Sequence, residues 1–464
     1  MKKLLWEAVS IIAAVVVAFL PPPDGLERNA MVVLGLLLWA IINWIAKTMP
    51  DFIVALVMCC MWVLTGIIPL EQALTGFSNS TVWLLVGALG FGTAIAKSGL
   101  LSRVALGVMK ICPATFSGQV LALIGAGTII GPFIPSTTAK VSIAGAMSTG
   151  IGKQLGFEPR SKGMAGIWCA MYTGFTLNAP IFLTSSFFAY LLLGLLPEKD
   201  QTLFTFGYWL KAALPWGIFI LIVSFFVIRL MYGPKEKRTI SKDEINKELE
   251  ALGPMKKNEK IVLAVLAVCG FFLVMERTLG VSSTITFLLA LCVLMALNVI
   301  TVEDYNKGIS WGLITFAGVV INLGSVLSEV KFDTWISNTF GPYMAGLVGN
   351  PYLFVAVVAV AVLLVRFVIV DYLTCFTLFL VILTPFCVDA RMSPWIVAFC
   401  AYVVCQPWFV KYQNINFLAA YSSAGGDQMI NHNYTIGYCL IFHIVAILGL
   451  VLSVPYWRFL GLIA

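Results

Sequence analysis

From Leu121 to Pro135 the chain carries no charge; Ser136-Thr137-Thr138-Ala139-Lys140 then sets three hydroxyls and an ammonium ahead of a second apolar run. In hydrocarbon an unpaired polar group costs several kcal/mol, so such a cluster is stable only inside protein or beside a water-filled cavity. Gly131, Pro132 and Pro135 interrupt the helix at the same place. The pattern predicts a helix broken at mid-membrane, with the exposed amides of its second arm available to an anion.

The rest of the chain is consistent with that environment. Of 464 residues, 60% are hydrophobic and 11% charged, and mean hydropathy is +0.97. Soluble chains are about 25% charged. The expected fold class is an all-α polytopic membrane protein. Windows long enough to span lie near 6–20, 31–47, 51–69, 81–97, 209–231, 261–275, 281–300, 311–328 and 436–456. The longer apolar regions 118–150, 164–195 and 351–425 carry Pro or polar residues at their middles. Residues 118–150 and 351–388 read as re-entrant hairpins, and 164–195 and 394–425 as spans broken at the centre. This gives about 11 crossings plus two hairpins. Met1-Lys2-Lys3 and the apolar residues to Leu20 resemble a signal peptide. No small-x-small site precedes Pro21 and many spans follow, so a retained first helix is expected.

Charge orients this arrangement. Lys2, Lys3, Lys47, Lys97, Arg103 and Lys153 fall on one side with the segment 233–260, which alone holds eight Lys/Arg. The positive-inside rule then puts the N-terminus in the cytoplasm and the protein, multi-pass, in the cytoplasmic membrane. The net charge of +7 belongs to topology, and no nucleic-acid partner is expected. The linker 233–260 begins at Gly233-Pro234 and carries Gly253-Pro254. It predicts a short cytoplasmic helix and divides the chain into residues 1–232 and 261–464. Each half runs as spans, a hairpin, a broken span and a last span. With the first helix set aside, about five crossings per half make the two repeats inverted.

Ser136, Thr137 and Thr138 mark the first break; Thr173-Gly174, Thr176, Asn178, Pro180, Thr184, Ser185 and Ser186 mark the next. Hydroxyls also satisfy one another between packed helices. A Pro-flanked triple facing a second polar break points instead to a site. Asp371 is the acid that falls within a span; Lys140, Arg366 and Lys411 are the bases that do. Intramembrane ionisable residues are functional candidates. A structural ion pair of Asp371 with Arg366 or Lys411 stays open beside a role at the site. The positive charge of Lys140 and Lys411 suits an anionic solute. His432 and His443 form no ligand motif, and the 11 Cys read as small buried hydrophobes, so no metal cluster is expected. Gly127-x-x-x-Gly131 reads as a helix-packing notch. The chain has no Walker loop, HExxH or nucleophile elbow, so no enzyme chemistry is expected. A membrane-embedded enzyme or receptor using the polar pocket is the competing class.

Three segments carry a family resemblance: Phe77-Ser78-Asn79-Ser80-Thr81-Val82-Trp83-Leu84, Phe133-Ile134-Pro135-Ser136-Thr137-Thr138-Ala139-Lys140 and Leu252-Gly253-Pro254-Met255-Lys256-Lys257-Asn258-Glu259-Lys260. With them the chain resembles, over nearly its whole length, the divalent-anion:sodium symporter family of dicarboxylate and citrate/sulfate carriers. The resemblance implies a homodimer, a scaffold domain with a moving transport domain, and an elevator movement. It implies a substrate held between two Ser-x-Thr hairpin tips and a sodium ion at the first tip. Ser136, Thr137 and Thr138 match that tip, with Thr137 where Asn is usual, and Ser185 and Ser186 match the polar turn of the first broken span. Asp371-Tyr372-Leu373, followed by Thr374, falls where the second Ser-x-Thr is expected. Lys411 falls in the turn that in the family holds a second sodium, where an ammonium repels a cation at close range. The expected function is secondary transport of small di- or tricarboxylate anions, such as C4-dicarboxylates or 2-oxoglutarate. Sodium symport and cation-independent exchange both stay open.

Overall fold

The computed structural model describes residues 2–236, 238–240 and 242–464; Met1, and Lys237 and Ser241 of the expected linker, lie outside the described residues. The first half comprises α1 (Lys2–Phe19), α2 (Arg28–Ala46), α3 (Asp51–Leu64), α4 (Ser80–Ser98), α5 (Leu100–Ile111), α6 (Phe116–Ile130), α7 (Thr137–Gln154), α8 (Lys162–Tyr172), α9 (Phe187–Leu195) and α10 (Phe206–Tyr232). The second comprises α11 (Lys257–Leu279), α12 (Ser283–Ala296), α13 (Trp311–Val320), α14 (Phe332–Val348), α15 (Pro351–Val365), α16 (Tyr372–Asp389), α17 (Trp395–Cys405), α18 (Ile415–Ser423) and α19 (His432–Phe459). Shorter helical turns join them, and Lys242–Ala251 forms a helix in the linker. The order of elements in α2–α10 recurs in α11–α19.

Eight helices among the described residues are long and apolar enough to cross a membrane. Their outward faces keep large apolar side chains in the open, Leu230 at 84% and Val274 at 71% exposure. In water such faces would drive association; against lipid they cost nothing. α5 and α14 were not expected as separate elements. α5 is short and carries Arg103 and Lys110, and α14 carries Asp333, Asn338 and Pro342, so neither contains an apolar window of spanning length. α14 meets α15 at a bend of 111°.

Two groups of packed helices can be traced, bridged by α9, which lies on α4, α16 and α17. In the first, α1 lies on α2, α2 on α3, α3 on α13, and α4 on α11 and α12. In the second, elements of both halves interleave: α6 and α7 on α8, α7 on α18, α10 on α8 and α19, and α15 and α16 on α17. Two of the resemblance segments brace this frame. Asn79 caps α4 by accepting from the amide of Thr81 at 2.8 Å. Glu259, buried at the start of α11, accepts from the amide of Lys256 at 3.0 Å and pairs with Arg103 at 3.1 Å.

Candidate functional site

Four helices, α7, α9, α16 and α18, begin close together, and a polar side chain caps each one. Ser136 Oγ accepts from Ala139 N at 3.3 Å on α7, and Ser186 Oγ from Phe188 N at 3.3 Å on α9. Asp371 Oδ2 accepts from Thr374 N at 2.8 Å on α16. Asn414 Oδ1 accepts from Asn416 N at 2.9 Å and Phe417 N at 3.1 Å on α18. These caps satisfy some of the orphan amides at each first turn and leave the others directed beyond the helix end.

The ends are tied together in pairs. Phe187 N donates to Pro135 O at 3.2 Å, joining the starts of α7 and α9. Thr138 Oγ1 donates to Asn416 Oδ1 at 3.1 Å, joining α7 to α18. The Phe188 ring stacks on Tyr372 at 4.6 Å, joining α9 to α16. Each helix start carries about half a positive charge, so the four together form an anion-attracting locus.

Two buried basic side chains lie beside it. Lys140 is 1% exposed, and its Nζ donates to Ser185 O at 2.8 Å and to Ser185 Oγ at 3.4 Å. Arg366, at the C-terminal end of α15, is 2% exposed. It donates to Ile369 O at 3.0 Å, to Gln413 O at 2.7 Å and to Val370 O, and lies 4.5 Å from the Tyr372 ring. Neither cation has a carboxylate partner among the described residues.

The other two intramembrane charges are placed differently. Asp371 uses Oδ2 on the amide and hydroxyl of Thr374, at 2.8 and 2.9 Å, and Oδ1 on Lys47 Nζ at 3.2 Å. Its ion pair is therefore with Lys47, and not with Arg366 or Lys411. Lys411 has a side chain 39% exposed and sits 2.7 Å from Asp427, with its ammonium 4.9 Å from the Tyr421 ring. Hydrogen bonds from the Lys411 ammonium and then the Tyr421 hydroxyl hold the Asp427 carboxyl below its usual range. The structure thus brings Ser136, Thr137, Thr138, Lys140, Ser185, Ser186, Asp371 and Thr374 to the helix starts, and leaves Lys411 in a surface cluster. Asn414 and Asn416 are the polar residues that the sequence analysis passed over. Gln413-Asn414-Ile415-Asn416 is a polar run within the second broken span, but neutral amides cost less than charges in an apolar segment and so stand out less from it.

The sodium ion that the resemblance implies at the first tip would have a basic neighbour. Ser185 O, beside that tip, accepts from Lys140 Nζ, and a cation placed against that ammonium is repelled. A cavity of about 1420 Å³ lies elsewhere, between the two groups, and none of the tip residues lines it. Its charged lining is Glu198, Glu276, Glu329, Asp333 and Asp389, the wrong sign for an anion.

Comparison with known proteins bears on the family. Inner membrane protein YbhI of Escherichia coli (strain K12) is 28% identical over 354 residues, 73% of this chain and 74% of that protein. The putative malate transporter YflS of Bacillus subtilis (strain 168) is 26% identical over 74% of this chain and 73% of its own length. The L-tartrate/succinate antiporter of Escherichia coli (strain K12) is 26% identical over 378 residues, 74% of each chain. The solved YdaH transporter of Alcanivorax borkumensis superposes with a TM-score of 0.57 at 12% identity, over 99% of this chain and 97% of that one, a likeness of fold alone. The family model described as the sodium:sulfate symporter transmembrane region matches residues 2–463. A chain whose helices, interrupted pairs and polar breaks all fall within one such match is a transporter, not an enzyme, and belongs to the sodium:sulfate symporter transmembrane family.

Proposed function

We propose that this protein is a secondary active carrier of small dicarboxylate anions, such as C4-dicarboxylates or 2-oxoglutarate, and that it works by cation-independent exchange. One observation carries the reading: Lys140 and Arg366 are buried beside the four helix starts without a carboxylate partner among the described residues. Burying an uncompensated ion costs several kcal/mol. A dianion compensates both cations, so these two charges cross the membrane paired in the loaded site and unpaired in the empty one. Such a carrier returns only when loaded, which is exchange. A sodium symporter releases its cations and returns neutral; these two cations are covalently attached. The relatives described as a malate transporter and an L-tartrate/succinate antiporter support the dicarboxylate class.

In the same reading the second group of helices moves past the first within a homodimer, and the N-terminus is cytoplasmic. Counterflow in liposomes is the test. Radiolabelled malate is expected to enter vesicles preloaded with malate or succinate in sodium-free buffer, and to enter empty vesicles far more slowly. Entry that requires sodium, or that ignores the internal load, overturns exchange.

A further inference from the structure

We infer that Asn416 is a specificity-determining residue of this site, its amide N–H donating to a carboxylate oxygen of the anion held at Ser136, Thr137 and Thr138; the inference rests on the carrier reading above. Asn416 is the second residue of α18 and is 2% exposed. Its Oδ1 accepts from Thr138 Oγ1 at 3.1 Å, and Thr138 is the second residue of α7. The side chain is thereby fixed at the point where helix starts from the two halves meet. Its backbone amide is satisfied by Asn414. Its Nδ2, by contrast, has no acceptor among the described residues.

A buried amide N–H without an acceptor is unfavourable, and native interiors rarely keep one without a reason. The neighbours sharpen that reason. Thr138, on the first turn of α7, already gives its hydroxyl proton to Asn416 Oδ1, and the backbone N–H groups at the two helix starts are donors as well. Gln406 Nε2 and Trp408 Nε1 are also buried without acceptors among the described residues, in the same helix break. Asn414 ties that segment to α18 by donating from Nδ2 to Gln406 O at 2.6 Å. A break rich in donors and short of acceptors calls for a ligand made of acceptors. A carboxylate fits: it presents two oxygens to N–H groups and donates nothing once ionised.

Asn416→Asp separates recognition from mere support. The carboxylate is nearly isosteric, keeps an acceptor for Thr138, and replaces the free donor with a second acceptor that bears charge. Counterflow of malate and of succinate is measured for the unmodified protein and the variant, with folding checked by size-exclusion profile and thermal unfolding. The variant is expected to raise the half-saturation concentration about tenfold or more, since a hydrogen bond to a charged group is lost and repulsion is added, while the maximal rate falls less. A folded variant with unchanged half-saturation shows that Asn416 only holds Thr138 and overturns the inference. If Asn416→Asp does not fold, Asn416→Ser is read the same way, because its hydroxyl is too short to serve both Thr138 and the anion. Absence of malate or succinate counterflow in the unmodified protein overturns the carrier reading itself, and this inference with it, before any variant is compared.

Discussion

Lys140 and Arg366 are both buried cations, yet they should respond oppositely to removal. Lys140 makes its bonds to one residue, Ser185. In Lys140→Met the lost bond to the Ser185 carbonyl costs about 1–3 kcal/mol. Removal of a buried charge in favour of an apolar chain of similar volume offsets that cost. The thermal midpoint should therefore stay level or rise. A saturating dicarboxylate stabilises the unmodified protein through binding, and this ligand-induced rise should vanish in Lys140→Met. A midpoint shift with ligand equal to that of the unmodified protein would remove Lys140 from the site. Arg366 instead gathers the carbonyls of Ile369, Val370 and Gln413 from two different helix breaks. Arg366→Met strands all of them at about 1 kcal/mol or more each, and the midpoint should fall by several degrees even without ligand. These residues also mark how far the sequence could be read. An apolar run exposes every costly charge, so Lys140, Arg366, Asp371 and Lys411 were all visible. Which of them are compensated was not, because Lys47, the partner of Asp371, is 324 residues away.

Helix breaks were legible where Pro, Gly and hydroxyls cluster, as at 131–138 and 173–186, because each such residue removes a helical bond or offers a competing one. Helices without a spanning apolar window, α5 and α14, left no comparable signal. Glycine spacing was legible only in part. Gly127-x-x-x-Gly131 has the form of a notch, but the close approach belongs to Gly127: a Cβ there would lie 2.1 Å from the carbonyl group of Gly174 in the next break. At Gly131 the nearest atom to an added Cβ is Ser185 Oγ, at 3.6 Å. Gly127→Ala should thus push α6 off the broken helix, with an overpacking cost of about 1–3 kcal/mol or more, and should lower both the thermal midpoint and exchange. Gly125 lies two residues away on the same helix, and a Cβ added there would meet nothing within 4 Å. Gly125→Ala should be neutral or gain about 0.5–1 kcal/mol from reduced backbone entropy of the unfolded chain and better helix propensity. Equal midpoints for the two variants would show that the Gly127–Gly174 approach does not hold α6 in place.

At the scale of the molecule, one ion pair links the two groups of helices at the site itself. Lys47, just past α2 and in the left-handed region at φ 49°, reaches Asp371 at the start of α16 at 3.2 Å and also holds Asp51 at 2.8 Å. The Lys47 side chain is 50% exposed, so the link is worth about 1 kcal/mol at most and breaks readily. A weak contact suits a junction made in one position of the cycle and released in the other. If the second group carries the anion past the first, a covalent bond in place of this ion pair should stop transport without touching the anion's donors. Lys47→Cys with Asp371→Cys, in a chain whose exposed Cys60 and Cys292 and partly exposed Cys112 are changed to Ser, provides the bond when a bis-methanethiosulfonate cross-linker spans the length of the lost lysine side chain, which a direct disulfide is too short to do. Loss of the Asp371 cap costs about 1 kcal/mol, so the reduced protein should still exchange, more slowly than the parent. The cross-linker should arrest counterflow, and dithiothreitol, which cleaves its two disulfides, should restore it to the reduced rate. Arrest must also depend on both cysteines, since either one alone cannot join the groups. A fully cross-linked protein that exchanges as fast as its reduced form would show that Lys47 and Asp371 stay together throughout the cycle, and that the groups do not slide past one another at this point.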